Sequence, residues 1–223
     1  MRGKLIVIDG SDGSGKATQI AVLSRRLRQS GYKVEVEDFP RYGKKSAGPV
    51  EEYLNGLYGS AKKLGPYIPS IFYAVDRFAA SERIKASLHK GSVVLANRYV
   101  SANMGHQGGK IQSPKKRNEY FRWVYDLEYR LFKLPKPDLT LILHLPAFAA
   151  QKLIDRKGHR EYVGGQKRDL HEKDISHLKA AGRTYLEIGK KFHYPIINCY
   201  EHGRILSRKE VAELIWTKVK RFL

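Results

Sequence analysis

The chain has 223 residues, 42% of them apolar, and carries 42 Lys and Arg against 22 Asp and Glu, a formal net charge of +20. That length suits one packed core and that apolar content excludes a disordered chain, while a single cysteine, Cys199, excludes a disulfide framework. The surplus charge points to anionic partners, either small substrates or nucleic acid held non-specifically through Arg25-Arg26-Arg28, Lys115-Lys116-Arg117 and Lys218-Lys220-Arg221. The longest apolar stretch, Leu139 to Ala150, is broken by His144 and Pro146 and is too short to span a bilayer. The N-terminus shows no signal-peptide layout, so the expectation is a cytoplasmic protein without membrane contact.

The first predicted element is a strand over Lys4–Asp9, followed directly by Gly10-Ser11-Asp12-Gly13-Ser14-Gly15-Lys16 and a helix over Thr18–Ser30. Strand, glycine-rich turn and helix form the context in which Gly-x-x-x-x-Gly-Lys is a phosphate-binding loop. The glycines let backbone N–H groups wrap phosphate oxygens, and the helix N-terminus adds partial positive charge. Gly10 to Lys16, with Ala17 and Thr18, are therefore the expected ATP-binding residues, Lys16 reaching the β- and γ-phosphates. The motif wants Ser or Thr after the lysine to hold Mg²⁺, and Ala17 stands there instead. Thr18 lies about 100° further round the helix and does not replace that hydroxyl.

Further along, strands are predicted over Lys33–Phe39, Ser92–Asn97, Leu139–Leu145 and Pro195–Cys199. Helices are predicted over Ile71–Leu88, Asn118–Phe132, Phe148–Arg156, Asp169–Lys191 and Ser207–Phe222. Ser207 with Glu210 reads as a capping box for the last of these. The alternation predicts one α/β domain over 1–223: a three-layer fold with a five-stranded, mostly parallel sheet and helices on both faces. The polar stretch near 156–168 reads as a short basic surface loop, a lid.

Four segments narrow the class. Asp38-Phe39-Pro40-Arg41-Tyr42 follows the second strand, and Tyr73-Ala74-Val75-Asp76-Arg77 lies on a helix. Asn97-Arg98-Tyr99-Val100-Ser101-Ala102-Asn103 ends the third strand, and Leu134-Pro135-Lys136-Pro137-Asp138 leads into the fourth. In this order they resemble the thymidylate kinase family, whose members move the ATP γ-phosphoryl to dTMP, with Mg²⁺, as homodimers. The resemblance implies that Arg41, Arg77 and Arg98 serve the acceptor, and guanidinium suits its phosphate. It assigns Tyr73 to base stacking, Asn103 and Gln107 to the pyrimidine edge, and Phe39, Tyr42 and His106 to the same pocket. Core packing competes for Tyr73, and a plain loop histidine for His106.

The resemblance also sets Asp12 against the sugar and the metal, with Asp9 and Glu172 as further metal-side carboxylates. Strand-end and helix-start chemistry are the competing readings for Asp9 and Glu172. No residue within the phosphate loop other than Lys16 is basic, so the cation that stabilises transfer is expected from the lid, as Arg156 or Arg160. Ala17, Asn97 and His144 stand where the family tends to carry a hydroxyl or carboxylate, which weakens the expected metal site. Two other readings stay open: a deoxynucleoside or other pyrimidine monophosphate kinase, and a nucleic-acid-binding protein derived from the same loop.

Overall fold

The computed structural model describes residues 2–155 and 175–223. Five strands, β1 (Lys4–Gly10), β2 (Val34–Asp38), β3 (Val93–Asn97), β4 (Leu139–His144) and β5 (Ile196–Asn198), form one sheet in the order β2-β3-β1-β4-β5. Every pairing in it is parallel, where the sequence suggested mostly parallel. The helices, in chain order, are α1 (Lys16–Gln29), α2 (Gly48–Leu54), α3 (Ala61–Leu64), α4 (Tyr67–His89), α5 (Val100–Ala102), α6 (Pro114–Tyr125), α7 (Ala147–Asp155), α8 (Ile175–Lys191) and α9 (Arg208–Val219). Among the described residues no helix is long and apolar enough to cross a membrane.

Three layers follow from the period of β1. Ile6 and Ile8 face a core with Ile20, Leu23 and Leu27 of α1 and Val211, Ile215 and Val219 of α9. Leu5 and Val7 face the opposite core, with Ala80, Ile84 and Leu88 of α4, Tyr120 and Phe121 of α6, and Tyr185 and Ile188 of α8. A strand covered on both sides must be apolar at every position, and Leu5 to Ile8 are. Each such side chain contributes roughly 1.5–3 kcal/mol on burial.

Polar residues collect at the carboxyl ends of the strands. Register sets Ile8 level with Asn97, and Asn97 level with Asp38. The chain leaves β1 toward β2 on one side and leaves β4 toward β5 on the other, so β1 sits where the winding reverses. Ligands of open parallel sheets bind at such a switch point.

Several elements depart from the sequence reading. The predicted helix over Asn118–Phe132 starts earlier, at Pro114, and from Asp126 to Leu131 continues as a wider π-type turn. The short helices α2, α3 and α5 lack the length for a periodic signal and were not expected. After β5 the chain makes a small antiparallel hairpin, β6 (Tyr200–Glu201) and β7 (Arg204–Ile205). The capping box is present: Glu210 N donates to Ser207 Oγ at 3.2 Å and Ser207 N to Glu210 Oε2 at 2.7 Å.

Candidate active site

The phosphate loop is a backbone structure. Gly10 has φ 137°, and a Cβ there would stand 2.3 Å from the carbonyl oxygen of Leu143. Gly13 has φ 79°, and its Cβ would stand 2.6 Å from the carbonyl oxygen of Ala150. Neither position accepts another residue without moving main chain. Gly15 precedes α1 without a side-chain cap, and no acid occupies the first turn, so the helix start keeps its N–H groups and its positive end for an anion. Lys16 Nζ donates to the carbonyl oxygens of Gly10 (3.0 Å) and Ser11 (2.8 Å), which aims the ammonium into the loop.

A broad cleft of about 800 Å³ opens in front of this loop. Residues 12–19 form its floor, Asp38, Asn97 and Arg98 one side, and Leu145, Leu153, Cys199, Leu206, Ser207 and Arg208 the far wall. Burial pushes the Cys199 thiol up to about 12, so Cys199 meets the cleft as a neutral thiol and not a thiolate. Ser14 Oγ, buried on the floor, has no hydrogen-bond partner among the described residues.

A second, tighter chamber of about 50 Å³ adjoins it. Asp12, Phe39, Tyr42, Tyr73, Arg77, Arg98, Asn103, His106 and Gln107 all line it. Of the residues assigned to the acceptor from sequence, Arg41 alone is absent from this lining. Its backbone N donates to Asp76 Oδ2 at 2.8 Å, and its guanidinium to Asp76 Oδ1 at 3.0 Å and Ser46 Oγ at 2.8 Å. Tyr73 stands edge-on to Tyr53, with ring centroids 6.4 Å apart.

Arg98 and Asp12 join the two spaces, since both line each of them. Arg98 holds φ 65°, a left-handed conformation uncommon away from glycine, while its N–H donates to the carbonyl of Ile8 at 3.0 Å. From that turn its Nη2 pairs with Asp12, and its Nη1 meets His106 Nε2 at 2.7 Å. Burial, together with the Arg98 charge, holds His106 well below the usual histidine range against the opposing pull of Asp12. The imidazole is therefore neutral, with Nε2 accepting from Arg98.

Two carboxylates at strand ends behave differently. Asp9 is fully buried, with its oxygens engaged by Ser101 Oγ (2.6 Å), Tyr185 OH (2.7 Å) and the N–H of Gly10 (2.9 Å). Asp38 borders the broad cleft and accepts from Asn97 Nδ2 at 2.7 Å. Burial raises the Asp38 carboxyl above its ordinary range, while the Asn97 hydrogen bond and the charges of Arg98 and Lys16 pull it back. Among the described residues no group of three His, Cys, Asp or Glu side chains converges on one point. Arg156, Arg160, Glu172 and the expected lid over 156–168 lie outside the described residues.

Comparison with known proteins fits this geometry. Residues 8–202 match the family model described as Thymidylate kinase. The chain belongs to the thymidylate kinase family. It is 30% identical over 185 residues to a thymidylate kinase of Mycobacterium tuberculosis, covering 82% of this chain and 85% of that protein. It is 27% identical over 219 residues to a probable thymidylate kinase of Pyrobaculum aerophilum, covering 97% and 98%. The solved thymidylate kinase of Candida albicans shares the fold, with a TM-score of 0.73 at 22% identity over 99% of this chain and 92% of that one.

Sequence reasoning missed the counterions that hold this site. Asp76 restrains Arg41, and Glu128 receives Arg77 Nε at 2.5 Å and Nη2 at 2.7 Å, both groups being buried. Asp76 stands beside Arg77 in a segment already singled out, so it was within reach. Glu128 lies 51 residues from its partner in a helix rich in charge, and no local pattern marks it. The far wall at Leu206, Ser207 and Arg208 was equally silent, because it is contributed by the chain entering α9 and by that helix's first residue, far in sequence from the loop.

Proposed function

We propose that the broad cleft takes ATP, that the tight chamber takes dTMP, and that the γ-phosphoryl passes between them at Asp12 and Arg98. The observation carrying this reading is the shared wall: an arginine turned toward the phosphate loop from one chamber, bordering both. An oxygen of the acceptor phosphate attacks the γ-phosphorus, the bond from γ-phosphorus to the bridging oxygen breaks, and ADP leaves. Lys16 and the loop N–H groups hold the donor phosphates. Arg98 neutralises charge where the two phosphates approach, and phosphoryl transfer depends chiefly on such positioning and stabilisation. Arg77, Asn103 and Gln107 face the base, Tyr73 packs on it, and Phe39, Tyr42 and His106 complete the chamber.

Mg²⁺ suits this donor set. Asp12 and Asp38 are the carboxylates bordering the broad cleft, and the anionic form of Asp38 is penalised by burial, which a cation relieves. With Ala17 in place of a hydroxyl after the lysine, Asp12 and Asp38 would be the side chains left to hold the ion, and Mg²⁺ needs few protein ligands. When bound it withdraws charge from the transferring phosphoryl. Asp9, engaged by Ser101, Tyr185 and the Gly10 N–H, lines neither chamber, so its metal role rests on the sequence, as do those of Glu172 and of Arg156 and Arg160 for the lid cation.

We also read 1–223 as one kinase domain, cytoplasmic beside its ATP, and dimeric. Ile68, Ile71, Val75 and Phe78 make an exposed apolar stripe along α4, and a second copy of the chain would cover it. Turnover with ATP across dTMP, dUMP, dCMP, AMP and thymidine tests the activity. dTMP should be the best acceptor and thymidine inert; turnover of no pyrimidine monophosphate would sink the reading. Sedimentation of wild type against Phe78→Glu tests the dimer, which should dissociate in the variant.

A further inference from the structure

Glu128 lines neither chamber, yet it receives hydrogen bonds from two residues that line the tight one. Its side chain is fully buried. Oε2 accepts from Arg77 Nε, while Oε1 accepts from both Arg77 Nη2 (2.7 Å) and Asn103 Nδ2 (2.9 Å). Asn103 Nδ2 also donates to the carbonyl oxygen of Ser70 at 3.0 Å. A carboxylate and a carbonyl can only accept, so the Asn103 amide has one orientation, with NH₂ toward Glu128 and Ser70. That leaves its Oδ1 for the chamber. The Arg77 edge bearing Nε and one N–H of Nη2 is likewise taken up, which leaves the two N–H groups of Nη1 and the outer N–H of Nη2 as donors for a ligand.

We propose that Glu128 is a positioning residue that sets the hydrogen-bond polarity of the base site and thereby its preference for a 4-oxo pyrimidine over a 4-amino pyrimidine. This rests on the tight chamber being the dTMP site. An acceptor from Asn103 beside a donor from Arg77 matches N3–H and O4 of thymine. It opposes cytosine, which presents an acceptor at N3 and an amino donor at C4. Glu128 makes the choice without touching the base: an ionised carboxylate offers only acceptors, and that forces both neighbours to turn their remaining groups outward. A buried ion pair is weak evidence for stability, and fixing one arrangement is the better-attested use of such a pair.

Glu128→Gln tests this with little change of shape. The amide has one acceptor oxygen where the carboxylate has two, and its NH₂ confronts a donor of Arg77 or Asn103. Freed of the second acceptor, the Asn103 amide can turn its NH₂ to the chamber. The ratio of kcat/KM for dTMP to that for dCMP should fall at least about tenfold, since a site left with unpaired buried groups discriminates by such factors. The change should sit in the nucleotide KM, with KM for ATP as in wild type. An unchanged ratio, or equal losses for the two substrates, overturns the proposal.

Asn103→Ala removes the oriented acceptor while keeping the ion pair, and serves if Glu128→Gln fails to fold. It should lose the same preference, and retention of the wild-type ratio overturns the proposal. In the double variant the loss should be smaller than the sum of the two single losses, any fall beyond Asn103→Ala alone being the share carried by Arg77; fully additive losses show that Glu128 does not act through Asn103 and overturn the proposal. Dissociation constants for dTMP and dCMP give a second reading of selectivity. A wild-type chain that prefers dTMP in binding but turns over neither nucleotide overturns the kinase reading; Glu128→Gln should then lower the ratio of the dCMP to the dTMP dissociation constant by the same factor, and an unchanged ratio overturns this proposal. A wild-type chain with no preference overturns this one.

Discussion

The halves of the cleft that we assign to donor and acceptor are built by different means. The donor half is made of main chain: glycines 10, 13 and 15 at positive φ, the start of α1, and Lys16 bonded to two loop carbonyls. The acceptor half is made of side chains locked in pairs, Arg98 with Asp12, Arg77 with Glu128 and, behind them, Arg41 with Asp76. A backbone site is local and tolerates drift in the sequence around it. A paired site spends buried acids on holding its cations, and it depends on every partner remaining in place.

The largest expected effect breaks the donor half alone. Lys16→Ala should lower kcat by about 10³-fold or more, as loss of a preorganised charge at the transferring group does. Binding of dTMP, followed by calorimetry, should be nearly unchanged, and a parallel loss would mean that the halves are not separable. Arg98→Ala belongs to both halves and should reduce kcat/KM by about 10²–10³-fold. Arg98→Lys should restore little, because an ammonium cannot meet Asp12 and His106 with two arms of one plane.

In the acceptor half the cost should appear as stability. Arg77→Ala leaves the Glu128 carboxylate buried and unpaired, and unfolding should become easier by about 3–5 kcal/mol in denaturant titration. Arg41→Ala should cost less, because the buried Asp76 carboxylate keeps the backbone N–H of residue 41 and the Ser46 hydroxyl as donors. Acid should act on the same half. The folded His106 resists protonation, whereas the unfolded chain takes up a proton below about pH 6.5. Stability therefore declines as pH falls through that range, and His106→Gln should flatten that part of a melting-temperature profile. Protonating His106 in the fold would set it against Arg98, so KM for dTMP should rise in acid while KM for ATP holds.

The smallest effect sharpens the donor half. Ala17→Ser restores the hydroxyl that the loop motif carries, and the Mg²⁺ concentration for half-maximal rate should fall by a few-fold, on the order of the modest net value of one polar contact. No change would mean that the ion is held elsewhere, and Asp38→Asn is then the variant to compare.

The sequence carried much of this. The loop Gly10 to Lys16, the strands around it and the order of the four motif segments sufficed for the fold and the family. It also nominated nearly every side chain of the tight chamber, through the resemblance of the four motif segments that carry or flank them. It did not reveal Glu128 or Asp76, whose importance lies in which arginine they meet after folding. It placed Arg41 at the chamber, while Asp76 and Ser46 draw the guanidinium away from the lining. The short helices α2, α3 and α5 and the hairpin of β6 and β7 are too brief for periodicity to register.

What the sequence determined by itself is the donor site, since a strand, a turn of glycines and a helix start are neighbours along the chain. What only the tertiary structure decided is which partners hold the side chains of the tight chamber. The contacts that orient Arg98, Arg77 and Asn103 span 86, 51 and 25 residues. Pairings over such distances are set by how α4, α6 and the sheet pack, and a charge at one position carries no record of the partner it will meet.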